Sequence, residues 1–196
     1  MTTDHILDKL TQRAQELGVS QARVISVADI SVEDDLARIC RDSRCPGYGL
    51  APSCPPHVMK PEQFRQLLEQ YESALVFKFD VPMEILFSEG RREVARVVHE
   101  TSADLERLAL ASGCTSALGL AGGSCKPIFC NQEPDCVVIS QGKECLHPDS
   151  ARMSMSGLGI NFNQICKKLG WQEFDPDKAK GQKRPSEGLM AGMVLV

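Results

Sequence analysis

The sequence predicts an α/β fold, with layered helices and a mixed sheet of about four strands, interrupted by two cysteine-rich loops at 40–60 and 122–150. Three observations lead there. Apolar residues recur at helical spacing in several stretches, short β-prone runs alternate with those stretches, and two segments lose all periodicity while filling with Pro, Gly and Cys. The whole of 1–196 is expected to form a single α/β domain.

The first predicted helix covers 4–17, where Ile6, Leu7, Leu10, Ala14 and Leu17 share a face and Gly18 supplies a stop. The run 22–27 is a strand, and 40–60 is a loop by chemistry. Pro61 suits a first helical position, and Phe64, Leu67, Leu68 and Tyr71 give that helix its stripe. A strand follows at 74–79 and ends near Pro82. A long helix at 91–112 is expected to turn Val94, Val97, Val98, Leu105, Leu108 and Ala109 inward. A short buried strand at 116–120 leads into the second loop at Gly122 and Gly123. Order resumes near Ser150, with a helix over 160–169 stopped by Gly170 and a last strand over 189–196. The basic residues Lys178, Lys180, Lys183 and Arg184 are read as a solvated loop.

Composition narrows the function. The chain carries a net charge of −4 and few aromatics, seven Phe, two Tyr and one Trp, which argues against nucleic acid. The longest apolar stretches fall short of the roughly 20 residues a membrane helix needs. The polar N-terminal segment lacks the apolar core of a secretory signal, so a reducing, cytoplasmic location is expected.

Nine cysteines in such a setting point to metal binding or catalysis rather than to disulfides. Seven lie in the two loops. The first reads C-x4-C-x8-C through Cys40, Cys45 and Cys54, and the second C-x4-C-x5-C-x8-C through Cys125, Cys130, Cys136 and Cys145. The second loop alone supplies the four thiolates of an iron–sulfur cluster, within 21 residues. Zinc is the rival metal, although the C-x2-C knuckle common in structural zinc sites is absent. Gly119, Gly122 and Gly123 permit close backbone approach, and their amides are candidate donors to sulfur. Arg41, Arg44, Lys126 and Arg152 are candidates to offset thiolate charge. The three-cysteine loop admits three readings: an iron with an open position, His57 as fourth ligand, or Cys114 or another residue completing the set through the fold. Cys166, beside Phe162, Ile165 and Leu169, reads as core.

Taken together, Cys40-x4-Cys45-Pro-x-Tyr-Gly-x4-Cys54-Pro-Pro, Gly-Gly-Ser-Cys125-Lys, Cys145-x-His-Pro and Ala151-Arg-Met-Ser-Met155 leading to Gly159-Ile160 resemble a family of predicted metal-binding, cysteine-rich proteins found mainly in anaerobes, known as domain of unknown function 2284. The resemblance implies metal binding, in keeping with an iron–sulfur group, and no set reaction.

Three functions are therefore expected to compete. One is an electron-transfer or accessory protein carrying one or two [4Fe-4S] clusters and serving a redox partner protein. Another is an enzyme with an open-site iron at the three-cysteine loop and a small-molecule substrate. The third is a structural zinc protein.

Overall fold

In a computed structural model, residues 3–43, 45–171 and 186–196 are described. The basic residues Lys178, Lys180, Lys183 and Arg184, and Arg44 of the first loop, lie outside these residues.

The chain opens with α1 (Thr3–Glu16) and β1 (Gln21–Ser26), then a single 3-10 turn in which the Ala28 amide donates to the Ser26 hydroxyl. Helices α2 (Asp34–Asp42) and α3 (Pro61–Leu68) flank the first cysteine loop. Strand β2 (Ser73–Pro82) runs through a one-turn α4 (Met83–Leu86) into α5 (Arg91–Ala111) and β3 (Leu118–Ala121). The second cysteine segment contains two short helices, α6 (Lys126–Phe129) and α7 (Val137–Gln141). It is followed by β4 (Met153–Ser154), α8 (Phe162–Leu169) and β5 (Glu187–Leu195).

The five strands form one mixed sheet in the order β1-β2-β5-β3-β4, antiparallel throughout except for the parallel β3–β4 pair. Alternation along the strands divides the core into two layers. On one face Leu75, Phe77, Ala121 and Val194 pack against Ile6, Leu7 and Leu10 of α1 and Val98, Leu105 and Ala109 of α5. On the other, Ala74, Val76, Leu120, Met193 and Leu195 meet Phe64 and Leu68 of α3, Ile165 of α8, and Leu158, Ile160 and Trp171. Cys166 belongs to this second layer, as expected for a core cysteine. Both faces being covered explains why residues 74–77 are all fully buried and read as a continuous apolar run.

Three expectations need correction. The segment around Cys40 is helical, because α2 reaches Asp42 and puts Cys40 in its last turn. The second cysteine segment is not a plain loop but holds α6 and α7. In α5, Val97 is 41% exposed, while the inward stripe runs through Ala95, Val98, His99, Ser102, Leu105 and Ala109. Small and polar residues occupy the inner face because the helix lies close to the sheet. Among the described residues, no helix is long and apolar enough to cross a membrane.

Candidate metal centre

The first loop is a series of tight turns. The Cys45 amide donates to the Cys40 carbonyl, that of Tyr48 to Cys45, that of Cys54 to Ala51, and those of His57 and Val58 to Cys54, at 3.0 to 3.1 Å. These turns bring the Cys40 thiol to face Cys45 and Cys54. Burial, then the two neighbouring sulfurs, push Cys40 up from its ordinary range, and the Ser156 hydroxyl pulls it back. Cys54 is buried and likewise pushed up.

The second segment gathers its four cysteines around one enclosed cavity. Cys125 precedes α6, Cys130 ends it, Cys136 precedes α7, and Cys145 follows the turn after α7. All four line the same space, walled on one side by Phe129 and His147. Burial raises Cys125 to about 11 and raises Cys130, with the neighbouring cysteines adding to both. The buried Lys126 ammonium works the other way on Cys130 and fastens the turn by donating to the Cys130 and Glu133 carbonyls, each at 2.6 Å.

The two groups touch through a crossed pair of serines. Ser53, just before Cys54, points its hydroxyl at the sulfur of Cys125 at 3.1 Å, with the Cys54 sulfur at 3.8 Å. Ser124, just before Cys125, turns its buried hydroxyl toward Cys54 and finds no partner of ordinary hydrogen-bond geometry there. Gly47 makes this approach possible: a Cβ there would stand 2.7 Å from the Cβ of Ser124. Sequence reading missed both serines, although the repeated Ser-Cys dipeptide was visible in each loop.

Helix α5 holds the Cys145 segment in place. Arg152 bonds Glu106 at 3.1 Å and also the Pro148 and Ala151 carbonyls, while Arg107 reaches the Asp149 carbonyl. Arg152 is thus spent on a carboxylate and on carbonyls, so it braces the loop instead of offsetting a thiolate. Two of the glycine amides are also engaged, Gly119 with Glu106 and Gly122 with the Ala191 carbonyl of β5. Gly123 turns the chain at φ +94°. Arg41 pairs with Asp42 at the surface. His57 is exposed. Cys114 sits past the end of α5 against the α1 layer and lines a surface cleft with Thr3 and Val196, away from the other cysteines.

His99 is fully buried, and its Nδ1 accepts the Arg152 amide at 3.1 Å, so Nε2 carries the proton. Phe129 lies edge-on to His99 and stacks on His147, with the Arg96 guanidinium over its ring. Desolvation, then Arg152, lowers His99 from 6.5 to about 4. The unfolded chain therefore binds a proton that the folded chain refuses between those values. Stability is full above about pH 6.5 and falls as pH drops toward 4, by up to about 3 kcal/mol. Urea midpoints at pH 7 and pH 4.5 check this: His99→Gln should lack that share of the loss, and an equal loss in both proteins rules it out.

Raised thiols beside one ammonium are the reverse of a catalytic cysteine, whose thiol is lowered by a cation or base. Buried at Cys54 and Cys125, half-buried at the rest and short of positive charge, these sulfurs make a donor set that suits a thiophilic metal, which would displace their protons. Among the described residues, no three Cys, His, Asp or Glu side chains form a group that could hold a single metal ion. The space inside the four-cysteine cavity is about 20 Å³, so a multi-iron core seats there only if the segment from Cys130 to Cys145 moves outward. That segment crosses exposed turns at 131–135 and 141–144.

Fold and cysteine placement together define an α/β protein with a mixed sheet and two neighbouring groups of cysteines. The chain belongs to the family of predicted metal-binding proteins DUF2284, whose family model matches residues 23–196. No curated protein and no solved structure matches it.

Proposed function

We propose that this is an iron–sulfur protein of electron transfer, with Cys125, Cys130, Cys136 and Cys145 holding a [4Fe-4S] cluster and Cys40, Cys45 and Cys54 holding a second centre. The observation that carries the reading is the shared cavity of the four second-loop cysteines. Bound there, such a cluster takes up and releases single electrons. The chain's own part is to hold and tune it. Ser53 donates a hydrogen bond to the Cys125 sulfur, Lys126 offsets negative charge, and Phe129 with His147 walls off water. Hydrogen bonds to sulfur and solvent exclusion are the levers that set the potential of such centres.

A second reading, an enzyme acting on a small molecule at the three-cysteine site, is supported by a cavity of about 570 Å³ whose wall includes Pro55, the residue after Cys54. Anaerobic purification with iron and sulfide counted per chain tests both against zinc. Roughly four of each per chain corresponds to one cubane and roughly eight to two. A colourless protein with zinc and no acid-labile sulfide overturns both iron readings.

A further inference from the structure

We infer that the cavity between α2 and α3 is a binding site for an organic carboxylate with an apolar body. Its volume of about 570 Å³ falls within the range of small-molecule sites. One wall is a single face of α2, with Asp34, Ala37, Arg38 and Arg41 at the spacing of neighbouring helical turns. Helix α2 has no buried residue, so this face has the cavity in place of a packing partner. The floor is apolar, built from Pro55, Pro56, Val58 and Met59 with the Tyr48 ring beside them.

The charge of the lining selects the ligand's head. Arg38, Arg41, Lys60 and Arg65 outnumber the carboxylates Asp34 and Glu62, in a chain whose overall charge is negative. Arg65 is committed to Asp34 and to the Val32 carbonyl. Among the described residues, Arg38 forms an ion pair with Asp35 of its own helix, both well exposed, a kind of pair that an incoming anion readily replaces. Lys60 has no ion pair among the described residues. Arg38 and Lys60 are therefore the anion anchors, with Arg41 at the rim. Two of the cavity's lining residues follow cysteines of the first loop directly, Arg41 after Cys40 and Pro55 after Cys54. Taking the ligand as the three-cysteine site's substrate rests on the iron–sulfur reading above; binding in the cavity does not.

The test titrates the full chain with α-naphthoate and with its uncharged analogue α-naphthamide by calorimetry. The naphthoate should bind at least about tenfold more tightly, as charge-assisted hydrogen bonds imply. The double variant Arg38→Gln/Lys60→Gln should bring the two within about threefold, and Ala37→Trp, which fills the cavity from α2, should abolish naphthoate binding. Equal binding of acid and amide, binding of neither, or naphthoate binding unchanged in the variants overturns the proposal. Adding naphthoate to anaerobically prepared protein with counted iron separates the two claims. A change in its visible spectrum ties the ligand to the metal site, whereas an iron-free protein that still prefers the acid sinks the iron reading and keeps the cavity.

Discussion

If the proposed iron–sulfur reading holds, Cys136→Ala should strip the protein of the iron at its second segment and leave the rest in place. Cys54→Ala should do the converse. The reason is geometric. Cys136 shares its cavity with Cys125, Cys130 and Cys145, while Cys54 faces Cys40 and Cys45 across the turns of the first loop. Losing one of its four thiolates leaves the second group a ligand short, so its occupancy should fall. The other group keeps its full set. Anaerobic iron and sulfide counts on the two variants read this directly. If each alone empties the protein completely, the seven cysteines serve one shared centre.

The crossed serines make the comparison sharper. Ser53 donates to Cys125, and Ser124 turns toward Cys54. Each sulfur thus has a hydroxyl beside it from the other loop, and each group is buttressed by its neighbour. Emptying one should leave the other bound but with an altered visible spectrum, since hydrogen bonds to sulfur tune the centre.

The elements that sequence reading finds are those that bury a large apolar face. Strand β2 is legible because 74–77 is buried on both sides, and α1 because Ile6, Leu7, Leu10 and Ala14 form a stripe against the sheet. Helix α2 escapes the same reading because it buries nothing; its inner face lines a cavity. Helices α6 and α7 escape because four and five residues are too few to display a period. The site divides in the same way. Cysteine is rare enough for its spacing to stand out, so the seven loop cysteines can be singled out as candidate ligands from the sequence. Ser53 and Ser124 have ordinary residue types, and only the fold reveals that each turns toward the sulfur of the other loop. Arg152 shows the opposite error, because a cation near cysteines in sequence is claimed in space by Glu106.

Gly192→Ala should be among the most destabilising single substitutions in the chain. Gly192 lies in β5 between Phe77 of β2 and Ala121 of β3, where α5 crosses the sheet. A Cβ there would stand 2.5 Å from the Ser102 hydroxyl, 2.6 Å from the Phe77 ring and 2.9 Å from the Leu120 carbonyl. None of these can yield cheaply. Phe77 is fully buried, Leu120 contributes backbone, and the Ser102 hydroxyl donates to that carbonyl at 2.8 Å. Overpacking and the loss of this hydrogen bond together cost about 3 kcal/mol. Adding Ser102→Ala removes one of the three clashes, so the double variant should unfold at a higher urea concentration than the sum of the single losses requires. Strict additivity would mean that helix and strand are not in the contact described. The damage should reach the candidate metal centre as well. The α5 that is pushed away carries Glu106 and Arg107, which pin Arg152 and the Asp149 carbonyl beside Cys145. If the protein holds iron as proposed, folded Gly192→Ala protein should therefore lose it to a chelator faster than the wild type, with the loss beginning at the four-cysteine group.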